Sequence, residues 1–220
     1  MGLIINVKFR SLADQVYEYL SACIIEGEIK AGERLVEKDL CQKFGISRSP
    51  LRECFRILEA EGLITINPRR GACVRNFSRK DVEDVFVVRA KLENLAAKLA
   101  VQNITEKEIA TLNDLLTKMD EAIAKRDIKS FFEFNDAFHN VFIDASNNEI
   151  LKKNLENPGK GIWHRVAFLY FNSPSALDRS NKKHKEIVNA FIKKDSALIE
   201  RLVEEHIEDS KNHLLSFLPV

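Results

Sequence analysis

The chain has no apolar stretch approaching the roughly 20 residues of a membrane span. Its leading Leu3-Ile4-Ile5 is too short for a signal-peptide core and is followed by Lys8 and Arg10. Such a chain reads as soluble and cytoplasmic. Cysteine is scarce: Cys23, Cys41, Cys54 and Cys73 form no C-x-x-C pair and sit among apolar or small residues. They read as buried, reduced thiols rather than as a disulfide framework. Low-complexity tracts and internal repeats are missing, and 45% hydrophobic residues suffice for a packed core, which excludes general disorder. Neither a glycine-rich phosphate loop nor a nucleophile elbow is present. Net charge is nearly absent too, at +1 from 34 basic and 33 acidic residues. A nucleic-acid partner must therefore be argued from where the charges lie.

What is present changes character near residue 77. At 220 residues the chain can form one large domain or two modest ones, and the shift in pattern favours two, 1–77 and 78–220. Ser11 can cap a first helix whose apolar positions Leu12, Val16, Tyr19, Leu20, Cys23 and Ile24 recur at helical spacing. Gly27 and Lys30-Ala31-Gly32 stop it. A short helix over 36–44 ends at Gly45, a natural helix-terminating glycine. Ser47 can cap a third helix that carries Pro50 early and runs through Leu51, Cys54, Phe55 and Leu58 to Gly62. The run Leu63-Ile64-Thr65-Ile66, a turn over 67–71 and a strand around 72–75 complete a hairpin. That order predicts a winged helix-turn-helix.

Beyond it only helices read well, near 79–102, 106–126, 128–145, 148–171, 178–194 and 195–217. Ser78 with Asp81 and Thr105 with Glu108 resemble capping boxes. Apolar stripes recur at Ile109, Leu112, Leu116, Met119 and Ile123, at Ile187, Val188, Phe191 and Ile192, and at Ile199, Leu202, Val203, His206, Ser210 and Leu214. Stripes of this kind must face one another. The expected fold is mainly α: a winged helix-turn-helix, then an antiparallel bundle of six or seven helices. Pro158, Gly159 and Gly161 should kink or break the fourth bundle helix.

The most informative string is Gly45-Ile46-Ser47-Arg48-Ser49-Pro50-Leu51-Arg52-Glu53. A turn at Gly45 presents the leading end of the third helix, where side chains reach base edges and free N–H groups hold phosphate. Arg48 and Arg52 share a face and could each fork onto guanine O6/N7. Ser47 and Ser49 suit phosphates. Arg69 and Arg70 add charge at the wing tip, with Gly71 supplying backbone freedom. From Arg48 to Arg75 there are six arginines against three acids, so the basic charge is local. This string, Glu33-Arg34-Leu35-Val36-Glu37-Lys38-Asp39-Leu40 before it and Leu58-Glu59-Ala60-Glu61-Gly62-Leu63-Ile64 after it, resembles the N-terminal domain of GntR-family regulators over residues 11–77. The resemblance implies that Lys38, Arg48, Ser49 and Arg52 touch operator DNA and that Gly71 enters or skirts the minor groove. Cys54 stands where alanine is common.

In the second region, Asn135 and His139 lie one turn apart on a helix face that also carries Phe131, Phe138 and Phe142, so both point inward. His184 precedes one apolar stripe and His206 lies within another. Three imidazoles and an amide directed into one bundle form a plausible set of ligands for a divalent transition metal such as zinc or nickel, since buried imidazoles need partners. His213, two turns beyond His206, and His164 are set aside as ligands. Asp81-Val82-Glu83-Asp84-Val85-Phe86-Val87-Val88-Arg89-Ala90-Lys91-Leu92-Glu93, Phe138-His139, His184-Lys185-Glu186-Ile187 and His206 resemble, in order and spacing, the FCD ligand-binding domain of the FadR subfamily of GntR regulators, over 79–217. Metal-binding members use an Asp and three His, which the resemblance carries onto Asn135, His139, His184 and His206. Asn135 is neutral where the family has a carboxylate, and Asp136 points about 100° away from it. The resemblance further implies a small organic acid as effector. Arg89 is the candidate carboxylate clamp and Arg165 a second; the alternative for Arg89 is a surface ion pair with Glu93 at i+4. The expected assembly is a homodimer on a pseudo-palindromic DNA operator, acting as a repressor, with the signal passing near Phe77–Lys80. Two rivals stand beside it: a metal-dependent hydrolase with Glu93 or Asp136 as base, and a metal-free sensor whose histidines bind the effector directly.

Overall fold

The computed structural model describes residues 11–68, 71–156 and 173–218. The chain divides into two compact units, Met1–Asn76 and Phe77–Val220.

In the first unit α1 (Leu12–Ile25) opens on a reciprocal capping box. The Ser11 hydroxyl accepts the Asp14 N–H and the Asp14 carboxylate accepts the Ser11 N–H, both at 3.0 Å. There follow β1 (Arg34–Leu35), α2 (Glu37–Phe44), α3 (Arg48–Ala60), β2 (Ile64–Asn67) and β3 (Gly71–Val74). Val16, Leu20 and Ile24 of α1 meet Leu51, Cys54, Phe55 and Leu58 of α3 over Leu35, Ile64, Ala72 and Val74 of the sheet. Burial pushes the Cys54 thiol up to about 12, which keeps it protonated and inert. Cys41 and Cys73, expected to be buried, are only half-buried, and all four thiols are free. Leu12 and Tyr19 do not join the core. Tyr19 instead meets the Phe44 ring edge-on, with the Lys43 ammonium 5.1 Å from the Tyr19 ring centre. The antiparallel sheet has the order β1-β3-β2, with Leu35 opposite Ala72 and Ile66 opposite Ala72 on the other side. β1 escapes sequence reading because two residues carry no period.

The second unit consists, among the described residues, of α4 (Arg79–Ala100), α5 (Glu106–Lys125), α6 (Ile128–Ala145), α7 (Glu149–Glu156), α8 (Pro174–Lys193) and α9 (Ser196–Leu215). The capping boxes of Ser78 with Asp81 and of Thr105 with Glu108 both form. α4 packs on α9, α6 and α7, α5 on α6 and α8, and α8 on α9. The core draws Leu112, Leu116 and Met119 from α5, Phe131, Phe138 and Phe142 from α6, and the stripes of α8 and α9. Ile192 is exposed, since it lies about 100° around the helix from the buried Phe191. α8 begins at Pro174, four residues before the expected start, with Ser173 in the N-cap position and the proline in the first turn, where its missing N–H loses nothing. The expected break at Pro158, Gly159 and Gly161 lies outside the described residues. No helix among those described is long and apolar enough to cross a membrane.

Candidate functional site

The DNA-facing candidates gather around the turn between α2 and α3. Gly45 ends α2 in the left-handed region at φ +65°. The Ile46 N–H then donates back to the Cys41 carbonyl at 3.1 Å, the long bond of a Schellman turn. This reversal puts Ser47 in the N-cap position of α3, but the hydroxyl makes no capping bond. The expected position is observed and the expected bond is not. Along α3, Leu51, Cys54, Phe55 and Leu58 are buried while Ser47, Arg48, Ser49 and Arg52 are exposed. Lys38 is exposed on the first turn of α2. Arg52 forms a forked ion pair with Glu37, the first residue of α2, and stays 60% exposed. Gly71 opens β3 at φ +76°; a Cβ there would lie 3.8 Å from the Arg34 guanidinium, so backbone conformation rather than space demands glycine. Arg69 and Arg70 lie outside the described residues.

The second cluster lies inside the helical unit. One ligand atom from each of His139 on α6, His184 on α8 and His206 on α9 falls within 4.8 Å of the others, and all three rings are buried. The His184 and His206 Nε2 atoms are 3.1 Å apart. Two imidazole nitrogens on one zinc-like ion at about 2.0–2.1 Å would be about 2.9–3.4 Å apart, so the pair fits one edge of a coordination shell. Burial, with the neighbouring imidazoles adding to it, drives the pKa of both rings well below the usual histidine range. They are therefore neutral, the form that binds a metal.

His139 is oriented from outside the trio. Its Nδ1 lies 2.6 Å from Glu93 Oε2. With the proton on Nδ1 donated to that carboxylate, Nε2 keeps its lone pair, and this buried Nε2 has no partner among the described residues. Glu93 is 2% exposed and is also paired with Arg89, which is 14% exposed. Burial alone would raise the Glu93 pKa; the Arg89 charge and the hydrogen bonds from Arg89 and His139 outweigh it and hold the carboxyl below the ordinary range. The i+4 pair of Arg89 and Glu93 thus exists, but as a buried pair rather than a surface one. Glu93 is the residue that sequence reasoning passed over in this role. The signal was present: it sits on the same face of α4 as the buried Phe86, Ala90 and Ala97, a charge inside an apolar stripe.

Asn135 is buried one turn before His139, and its Nδ2 is also without a partner among the described residues. A half-turn of the amide would exchange this donor for an oxygen that accepts. Asp136 is half-buried and not part of the cluster. His213 is absent from it and lies against the Phe217 ring instead. Arg165 and His164 lie outside the described residues. Three buried imidazoles, the buried Asn135 amide and a carboxylate behind one ring form a donor set that suits a borderline divalent cation.

Comparison with known proteins agrees with both units. Residues 12–74 match the family described as bacterial regulatory proteins, gntR family, and residues 84–209 match the FCD domain. The chain is 31% identical over 201 residues to the HTH-type transcriptional regulator YdhC of Bacillus subtilis, covering 91% of this chain and 89% of that protein. It is 30% identical over 195 residues to the HTH-type transcriptional repressor RspR of Escherichia coli, covering 89% and 85%. The solved structure of Escherichia coli McbR/YncC superposes with a TM-score of 0.78 at 25% identity, over 94% of this chain and 99% of that one. These relatives are transcriptional regulators, not enzymes, which sets the hydrolase reading aside. The chain belongs to the GntR family of bacterial transcriptional regulators, a helix-turn-helix DNA-binding unit followed by an FCD effector-binding domain.

Proposed function

We propose that this regulator is a cytoplasmic, homodimeric repressor of the FadR subfamily that binds a pseudo-palindromic operator and releases it when a small organic acid binds its helical unit. Repression follows the similarity to RspR, which carries that description. Lys38, Ser47, Arg48, Ser49, Arg52, Arg69, Arg70 and Gly71 contact the operator. Of these, Arg48 and Arg52 supply base recognition and the serines hold phosphates. His139, His184 and His206, completed by Asn135, hold a divalent transition metal, zinc or nickel, which when bound supplies a Lewis-acidic anchor for the effector carboxylate. Arg89 is the candidate counter-charge beside it, with Arg165 second. Arg89 and Glu93 lie on α4, which the chain enters four residues after β3, so wing and sensor share a short covalent path. A coupling of about 1–3 kcal/mol between effector and operator would change affinity roughly 5–150-fold.

The observation that carries the metal reading is the convergence of three buried imidazoles with the His139 Nε2 left without a partner among the described residues. The Nε2 contact between His184 and His206 also suits an N–H···N hydrogen bond, which favours the metal-free sensor. That arrangement leaves His139 Nε2 and His184 Nδ1 without a partner among the described residues. Elemental analysis of the purified chain, with thermal unfolding before and after chelation and in the presence of zinc or nickel, separates the two. Stoichiometric metal and a midpoint raised by the ion support the metal centre. A chain that never carries or responds to the ion leaves the direct sensor. Screening organic acids in the same assay, each with and without metal, tests the effector class.

A further inference from the structure

Among the described residues, Arg52 is the one predicted DNA contact already held in an ion pair. Its Nε donates to Glu37 Oε1 at 3.0 Å and to Oε2 at 3.2 Å, and its Nη2 donates to Oε2 at 3.1 Å. Lys38 and Arg48, also exposed, make no ion pair among the described residues. The carboxylate grips the side edge of the guanidinium. Because the group is planar with five N–H donors in a rigid fork, both Nη1 hydrogens and one Nη2 hydrogen remain, along the edge facing away from Glu37. That remaining edge still offers the two parallel donors that guanine O6 and N7 accept. Glu37 is only 33% exposed and begins a helix, so the tether is fixed to the scaffold.

Two consequences follow from a carboxylate in this place. The flexible arginine stem is confined before DNA arrives, so less freedom is lost when it docks. The negative charge also offsets attraction to whichever phosphate is nearest, a contact that carries no sequence information. Both effects favour the correct base pair over duplex in general. We propose that Glu37 is a specificity-determining residue: it holds Arg52 from the side so that the guanidinium reads a guanine instead of gripping the backbone. The proposal rests on Arg52 facing DNA, and its test separates the two.

The probe is a duplex pool with a randomised core, selected with the full-length chain. The affinity of a selected duplex is then compared with that of a shuffled duplex of equal length at fixed salt. For E37Q, which keeps the side-chain shape and a single acceptor, the ratio of selected to shuffled affinity should fall about tenfold, within the range for losing one well-placed base contact. E37A should lower it further. Affinity for the shuffled duplex should hold or rise by up to a few-fold, and reselection with E37Q should relax one guanine position, the same one that R52A relaxes. A ratio unchanged in both Glu37 variants overturns the proposal. So does an equal loss on both duplexes, which would mean that Glu37 merely supports α2. If R52A leaves the selected sequence unaltered, or the wild-type chain selects no common sequence, the DNA reading of Arg52 is what fails. If R52A relaxes a position that E37A leaves fixed, only the role of Glu37 fails.

Discussion

Replacing Glu93 by glutamine keeps the shape of the side chain and removes its charge. Arg89, 14% exposed, then faces a neutral amide, and His139 loses the carboxylate beside its Nδ1. Removing one partner of a buried ion pair costs about 3–5 kcal/mol. The amide oxygen still accepts a hydrogen bond and Arg89 keeps a narrow solvent edge, so a loss of about 2–3 kcal/mol is expected. In a unit of this size that lowers the unfolding midpoint by roughly 6–12 °C. Separately, losing the carboxylate behind a metal-binding imidazole weakens metal affinity about 10–100-fold, or about 1.4–2.7 kcal/mol. Thermal unfolding of the metal-stripped chain measures the first effect, and zinc titration against a chromophoric chelator measures the second. The double variant E93Q/R89M distinguishes them. It removes the stranded cation, so part of the lost stability returns, whereas metal affinity stays weak because His139 remains unsupported. If E93Q unfolds within about 2 °C of wild type and binds zinc equally well, then Glu93 neither anchors Arg89 nor orients His139.

Replacing Arg48 by alanine should abolish retention of the selected duplex in a gel-shift assay while stability changes by no more than about 0.5 kcal/mol, since the side chain is exposed; undiminished retention contradicts its role. Gly45→Ala forces a Cβ into the left-handed region at φ +65°, where nothing else lies within 4 Å. It should therefore lose about 1–2 kcal/mol in denaturant unfolding, with Gly45→Asn losing less. Asn135→Asp should tighten zinc binding and lower the midpoint of the metal-free chain, because an unpaired buried carboxylate is unfavourable until a cation neutralises it. Calorimetric titration giving the wild-type affinity would place Asn135 outside the ligand set.

The long helices are legible in the sequence because a buried stripe repeats every turn. Ile199, Leu202, Val203, His206, Ser210 and Leu214, read as one face of α9, are all buried. His139, His184 and His206 can be brought together by the same logic, since each sits in or beside such a stripe. What escapes is short or lies across the fold. β1 pairs two residues with a strand almost forty positions later, a distance at which no local pattern survives. Glu37 meets Arg52 fifteen residues on and Glu93 meets His139 forty-six on, whereas only the i+4 pair of Glu93 with Arg89 lies within reach of helical spacing.

Those two carboxylates share a logic that neither motif discloses. Each takes the donor its partner does not need: the Nε side of the Arg52 guanidinium, leaving the Nη1 edge, and the Nδ1 of His139, leaving Nε2. A ligand then meets a group whose direction is already set, so less ordering remains to oppose binding. The chemistry at each site belongs to the arginine and the imidazoles, and those residues can be recognised from spacing and type. Their aim belongs to glutamates on neighbouring helices. Substitution at Glu37 should accordingly alter how selectively the duplex is read, whereas substitution at Glu93 should alter how tightly the metal is held and, through Arg89, how stable the helical unit is.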